Sequence, residues 1–527
     1  MKFTLSPEPV SRRRAAPIKA RRSRYRLPHR LVGAAPAWVI AALLIGVLAI
    51  TSVAAARAIT FLRATTNSNV NSVIRAVAPQ INPYPPGSIG YHLEHKDQVV
   101  NVLVLGYGGQ ENDAPYLSDT IMIVRFDPVT KRVALISVPR DLYVKVYYGP
   151  NGQWSGQKVN AAFAIGVDES GFSSPKYKDP KYTGRDGGGR LAEDTLTRIT
   201  GIKFDGYVAV DFKAFRDVVN ALGGVTVHMD DKLDDCHYPD YHNGYLNGGV
   251  PENVPCPYAR NPNAGIHYPA GTYVVTGEQA LEIARSRHAD EPDQATDFGR
   301  ARRQQMLVAA IKERAVSVNG IIKAPQLMDA LQRDFKTDLR IDDLKALYDF
   351  GKSVPQEQVL HYALTDSDFL DSGACGNNDG LYYLCPADPT YIMIKEYFAH
   401  SFPPASLTTT HSPLQIAWTG YAFEGDIGDS VTAAVKPFGF NVVATAKPRV
   451  REVVATTIYD FSNGQNPDQA GFLSDLITSM QSNGHQVAIV PGAQAPAWVS
   501  PNNGFVVVLG SEFGNCWYGY GPPRCTR

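Results

Sequence analysis

Four distant stretches of the chain carry side chains that could together grip a multiply charged anion: Arg140, Lys158, the pair Arg285 and Arg287, and Arg300 with Gln304. Asp297, Arg300 and Gln304 stand at i, i+3 and i+7. That spacing puts them on one face at a predicted helix N-terminus, where unpaired N–H groups and the helix dipole favour negative charge. Arg285 and Arg287 are two apart beyond a predicted helix end, and in extended backbone both guanidinium groups then face one side. Arg140 follows a predicted strand and a proline, which sets its direction. Fork-shaped cations match a phosphate or pyrophosphate far better than a neutral substrate. Arginine keeps its proton, so it clamps and does not act as a base. The acids at hand, Asp119, Asp141 and Asp297, could hold a Mg²⁺ that neutralises the phosphates, or orient the arginines. The bland alternative is a set of solvated helix faces and surface ion pairs, because long Arg side chains are usually exposed.

Other chemistries find little support. The loop Gly106-Tyr107-Gly108-Gly109 lacks the Lys-Ser/Thr of a phosphate-binding loop and the full dinucleotide fingerprint, which argues against nucleotide binding. There is no G-x-S-x-G elbow and no H-E-x-x-H, so serine hydrolase and zinc protease readings lack support. His288 is the histidine nearest the cationic cluster in sequence and reads as structural in preference to a proton shuttle.

These side chains need a rigid frame. Val99 to Leu105, Thr120 to Phe126 and Arg132 to Val138 are short runs rich in Val and Ile, the pattern of strands buried in an α/β sheet. Asp127 to Lys131 favours a tight turn, so the second and third pair as a hairpin. Gly149 to Gly189 reads as a polar insertion ending in a flexible break at Gly184 to Gly189, followed by a short helix to Ile199 with Gly201 as its cap. A strand at 207–210, Asp211 as N-cap, a helix at 212–222 and a strand at 225–229 predict a right-handed βαβ unit. Thr276 to Gln279 has capping-box spacing and opens a helix through about Ala284, and Asp297 caps the next. Helices near 325–335 and 341–350 and a strand near 359–364 close the domain. A second small α/β module follows, with strands at 456–460, 487–490 and 504–509 and a helix at 468–481. No internal repeat is visible.

At 527 residues the chain is too long for one core and predicts two or three domains. Its 51 basic and 51 acidic residues cancel, but ten of the bases and only one acid, Glu8, fall within residues 1–30. A basic head therefore precedes a mildly acidic body. Leu31 to Ala56 is uncharged, apolar and long enough to span a bilayer, and the flanking arginines orient it with the N-terminus in the cytoplasm and the body outside. A cleaved signal peptide with Ala54-Ala55-Ala56 as the processing site is the rival reading, and it too exports the body. The positive-inside rule accounts for the Arg run without nucleic acid. A Pro/Gly-rich linker, Pro79 to Gly90, follows. Six cysteines lie beyond it as three near pairs, Cys236 with Cys256, Cys375 with Cys385 and Cys516 with Cys525, and read as disulfides, although six cysteines allow fifteen pairings.

The run NVLVLGYGG, then LSDTIMIVRFDPVTKRVALISVPRDLYV, KVNAAFAIG, FRDVVNALGGVTV and ARSRH followed by DFGRARRQQ, resembles the LytR-CpsA-Psr family of bacterial cell-envelope proteins over about residues 97–365. The resemblance implies a three-layer α/β/α domain with a mostly buried central sheet. A smaller α/β domain at 450–527 is similar to the C-terminal domain often appended to this family, joined by a connecting segment at 366–449. Ahead of the first domain the expected order is a basic cytoplasmic tail at 1–30, a membrane anchor at 31–62 and a linker at 63–96. The implied activity is transfer of a glycopolymer from an undecaprenyl-pyrophosphate carrier to peptidoglycan through a phosphodiester bond. A non-catalytic envelope-binding protein and a polyprenyl pyrophosphatase are the alternatives. By motif, Asp119, Arg140, Arg285 and Arg287 would be catalytic. Arg140, Lys158, Arg285, Arg287, Arg300 and Gln304 would hold the pyrophosphate, with Asp119, Asp297 and Asp113 around Mg²⁺. Two departures stand out: Gly108 where the family commonly has an acid, for which Asp113 or Glu111 could substitute, and Leu117 where it often has an Arg.

Overall fold

The structure is a computed structural model that describes residues 66–110, 112, 114–238, 255–256, 264–317, 335–364, 369–376, 380–386, 391–410, 412–418, 427–446, 455–481 and 485–510. Its frame is a six-stranded mixed sheet whose strands, in order across it, are Phe335–Thr337, Gly206–Asp211, Val100–Tyr107, Ser118–Asp127, Arg132–Ser137 and Val359–Ala363. These strands are β1 (Val100–Tyr107), β2 (Ser118–Asp127), β3 (Arg132–Ser137), β6 (Gly206–Asp211), β11 (Phe335–Thr337) and β12 (Val359–Ala363). The hairpin of β2 and β3 forms as expected, closed by Asp127, whose Oδ1 accepts from the backbone N–H groups of Val129 and Thr130. Alternate residues of each strand feed two cores. Leu103, Leu105, Ile121, Ile123, Ala134 and Ile136 face one side, where the helices Ala161–Gly166 and Gly187–Thr200 pack. Val102, Met122, Val133 and Leu135 face the other, under the helices Ile89–His95 and Ile341–Ser353. Helices on both faces make this the expected three-layer α/β arrangement.

Two local expectations give way. Gly187, Gly188 and Gly189 begin a helix and form no flexible break, because their lack of a side chain lets the helix lie against Ala161–Gly166. A Cβ on Gly166 would fall 2.4 Å from the Gly187 carbonyl oxygen. The βαβ unit also does not form. β6 already has β1 and β11 on its two edges, so β7 (Val225–Met229) finds no place beside it. After Gly223 and Gly224, both at positive φ, β7 pairs antiparallel with β10 (Gly271–Val275) instead. With β8 (Leu233–Asp235), β9 (Ile266–Tyr268) and the helices Phe212–Ala221, Gly277–Arg285 and Asp297–Ser317, it builds a second core.

Toward the C-terminus a five-stranded sheet has the order β16-β15-β19-β17-β18, made of β15 (Pro413–Trp418), β16 (Asn441–Ala446), β17 (Thr457–Asp460), β18 (Ala488–Pro491) and β19 (Phe505–Leu509). Its first two strands come from within the 366–449 segment. One continuous apolar cluster runs from the first sheet through Tyr397 and Phe438 to Phe505. Disulfides Cys236–Cys256 and Cys375–Cys385 are formed, while Cys516 and Cys525 lie outside the described residues.

The expected basic tail and the anchor at 31–62 also lie outside the described residues, as does most of the helix expected near 325–335. Among the described residues no helix is long and apolar enough to cross a membrane. The longest of them, Asp297–Ser317, has the length of a span but carries Arg300, Arg302, Arg303, Lys312, Glu313 and Arg314. The single-pass membrane placement with an extracytoplasmic body is therefore corrected.

Candidate active site

β2 and β3 are antiparallel and β12 runs parallel to β3, so the start of β2 and the ends of β3 and β12 meet at one edge of the sheet. Asp119 stands at the start of β2, and Arg140 follows β3 by way of Val138 and Pro139. The Arg140 Nη1 donates to Asp119 Oδ1, and its Nε lies 3.4 Å from Asp141 Oδ2. Asp141, 3% exposed, is the hub. Lys158, ending β5 (Trp154–Lys158), donates to its Oδ1 at 2.6 Å, and Arg287 Nη2 lies 3.9 Å from its Oδ2. Burial by itself pushes the Asp141 carboxyl up, but Arg140, Lys158 and Arg287 outweigh burial and hold it below its ordinary value.

The second wall comes from the other core. Arg285 is the last residue of its helix, which opens on the expected capping box of Thr276 and Gln279. Its guanidinium lies over the Phe212 ring at 4.4 Å and near Tyr238 at 5.8 Å. The Asp297–Ser317 helix brings Arg300, 6% exposed, and Gln304, whose Nε2 donates to the Ala284 carbonyl at 3.2 Å. Its neighbour Gln305 donates to Ser137 Oγ at 3.0 Å and the Tyr362 carbonyl at 2.9 Å, which ties this helix to the sheet edge. The result is a cavity of about 180 Å³ lined by Asp119, Arg140, Arg285, Arg287, Arg300 and Gln304, with His237 and His288 beside them. A smaller pocket of about 20 Å³ shares Asp119, Arg300 and Gln304 and runs in among Ile121, Val138 and Leu364.

The family profile of LytR_cpsA_psr matches residues 59–396. The chain belongs to the LytR_cpsA_psr family. Among relatives, it is 26% identical over 266 residues to a Bacillus subtilis protein named polyisoprenyl-teichoic acid–peptidoglycan teichoic acid transferase TagV, covering 50% of this chain and 55% of that one. It is 27% identical over 248 residues to the regulatory protein MsrR of Staphylococcus aureus, covering 46% and 57%. The chain thus spans little more than half the length of these relatives. The crystal structure of Bacillus subtilis TagV aligns at 22% identity with a TM-score of 0.39, over 58% of this chain and 98% of that one.

Most of the residues singled out by the LytR_cpsA_psr motifs converge. Lys158 is absent from the cavity wall yet joins Arg140 and Arg287 through Asp141. Asp113 and Glu111 lie outside the described residues, and Asp297 begins its helix with its side chain undescribed. At Gly108 a Cβ would meet Asn112 Cβ at 2.7 Å, so the loop as folded leaves no room for an acid there. Leu117 is half-buried and packs on the apolar cluster.

For a metal, Cys236, His237 and Cys256 form a grouping of three candidate ligands among the described residues, their donor atoms within 4.8 Å of one another. Its two sulfurs are tied into a disulfide, and sulfur and nitrogen donors do not suit a hard cation. Asp119 does. A Mg²⁺ ion that brings phosphate oxygens and water needs only one or two carboxylates.

Three contributors escaped the sequence. His237 faces His288 edge-on, ring centroids 5.9 Å apart. Arg303, 3% exposed, donates to the carbonyls of Ile283 at 2.9 Å, Ser286 at 2.6 Å and Gln294 at 2.9 Å. Burial, with the charge of Arg300, pulls its pKa down to about 10. Its place in the run Arg300-Ala301-Arg302-Arg303 was the available signal. Asp235, fully buried, meets the segment 286–288, and nothing in the sequence links residues so far apart.

Proposed function

We propose that the chain transfers a glycopolymer from a polyprenyl-pyrophosphate-linked precursor to a hydroxyl of peptidoglycan, forming a phosphodiester bond. The observation that carries the reading is the convergence of Arg140, Arg285, Arg287 and Arg300, from segments far apart in sequence, on one cavity beside Asp119. Relatives named as teichoic acid transferases support it.

In this reaction the acceptor oxygen attacks the phosphorus that bears the sugar, and the bond to the bridging oxygen breaks. Polyprenyl phosphate leaves with that electron pair. Such a transfer needs positioning and charge neutralisation more than covalent catalysis. Arg140 exchanges Asp119 and Asp141 for phosphate oxygens, and Asp119, released from that pair, takes the proton of the attacking hydroxyl; it is also the carboxylate that would hold Mg²⁺. The ion, when bound, adds positive charge against the pyrophosphate. Arg285, held over the Phe212 ring, and Arg287, held beside Asp141, meet the charge that builds on the leaving phosphate.

The test is to incubate the full chain with a polyprenyl-pyrophosphate-linked glycan and peptidoglycan and to follow both glycan transfer and carrier release. Replacing Arg287 with Ala should lower turnover by about 10² to 10³, the effect of losing one preorganised stabiliser. Unchanged turnover in that variant, or release of the carrier without peptidoglycan, overturns the reading.

A further inference from the structure

We propose that Asp235 is the positioning residue that sets where Arg287 stands, an inference that rests on the proposed pyrophosphate role of the cavity. Asp235 ends β8 and is 0% exposed, yet it borders the cavity. Its Oδ2 accepts from Ser286 Oγ at 2.7 Å, from the Arg287 backbone N–H at 3.1 Å and from that of His288 at 3.2 Å. Its Oδ1 accepts from the His237 backbone N–H at 3.0 Å. One oxygen therefore gathers three consecutive residues of the cation-bearing segment.

On the carbonyl side of that segment the buried Arg303 guanidinium grips Ile283, Ser286 and Gln294. The stretch between two helices is thus pinned by Asp235 through one hydroxyl and two N–H groups and by Arg303 through the Ser286 carbonyl, while Arg303 also holds a carbonyl of each flanking helix, Ile283 and Gln294. What they fix is the Cα of Arg287 and the direction in which its side chain leaves the backbone. Charge-assisted hydrogen bonds are the stronger kind, and a buried network in which every member is satisfied is stiff.

An amide cannot replace this carboxylate. With the Asn oxygen toward Ser286, Arg287 and His288, its NH₂ would confront the His237 N–H. With the amide flipped, the NH₂ would face the three donors that Oδ2 now gathers. Asp235→Asn therefore keeps size and loses position, and a misplacement of about 1 Å suffices to cost a clamp much of its effect.

The test measures kcat and KM for the polyprenyl-pyrophosphate glycan donor, and calorimetric binding of inorganic pyrophosphate, in full-length wild type, Asp235→Asn, Arg287→Ala and the double variant. We expect Asp235→Asn to lower kcat about 10- to 100-fold, the usual cost of losing an orienting partner, with a smaller change in KM and weaker pyrophosphate binding. The double variant should be no worse than Arg287→Ala alone, because a residue acting through another has nothing left to position. Effects that multiply in the double variant, or normal pyrophosphate affinity in Asp235→Asn, overturn the assignment. Should Asp235→Asn not fold, Ser286→Ala removes one donor from the same oxygen. A loss of pyrophosphate affinity that vanishes in the Arg287→Ala background then supports the assignment, and an unchanged affinity overturns it. A wild type that binds pyrophosphate but transfers no glycan sinks the transferase reading alone and leaves the binding cycle to decide on Asp235.

Discussion

One carboxylate, Asp141, serves three cations at the cavity, and charge placement of this kind recurs elsewhere in the chain with the opposite sign. Glu193, on the Gly187–Thr200 helix, has a buried Oε1 with no hydrogen-bond partner among the described residues. Burial, then the neighbouring carboxylates of Asp338 and Asp194, push it up to about 9. At neutral pH the folded chain keeps that proton, while the unfolded chain has released it above about 4.3. The unfolded state therefore binds fewer protons across this interval, and Glu193 makes the fold progressively less stable from about pH 4.3 up to about 9. Glu193→Gln should raise the melting temperature at pH 8, with the gain shrinking toward nothing near pH 4. A gain of equal size at both pH values would contradict the assignment. Residue types made the cationic side of the site legible in the sequence, because arginines flanking strand and helix ends have few other uses in number. Asp235 was not legible: it acts on backbone N–H groups fifty residues on, and backbone groups leave no mark in a sequence.

Elements tell the same story through glycine. Read locally, Gly184 to Gly189 is a run of structure breakers. In the fold, three of these glycines open a helix and allow it to touch the Ala161–Gly166 helix backbone to backbone, while a Cβ on Gly189 would fall 2.1 Å from the Tyr207 ring. Gly166→Ala should cost about 1–3 kcal/mol, the usual penalty for overpacking, read from the midpoint of urea unfolding at constant slope. An unchanged midpoint would mean that the helices part freely. The strands at the heart of the sheet were legible because buried strands are continuous apolar runs. The fate of β7 was not, since a strand–helix–strand pattern says nothing about whether the first strand still has an open edge.

The described residues are knit more tightly than the two larger sheets suggest. Phe438 lies 6.1 Å from Tyr362 of the first sheet, 5.5 Å from Tyr397 and 5.3 Å from Phe472, all as ring-centroid distances. Arg125 and Arg132, on β2 and β3, flank the Phe402 ring at 5.5 and 5.6 Å and donate to the carbonyls of Phe398 and Pro403. The chain between the sheets is thus clasped to the first one. Phe438→Ala should destabilise by about 3–5 kcal/mol and lower a single thermal transition followed from either sheet. Two separate transitions, only one of them moved, would show the sheets to be independent. Sequence foretold a second α/β module but not this joint core, which depends on pairings over long separations.

The carboxylates that occupy Arg140 give the cavity a threshold. A guest with one charge and one or two oxygens offers that guanidinium nothing it does not already have from Asp119 and Asp141. A guest with several charges and many oxygens can satisfy Arg140, Arg287 and Arg300 together, and so can trade places with the resident anions. If the proposed function holds, these resting ion pairs favour a condensed phosphate over a singly charged guest such as a lone carboxylate.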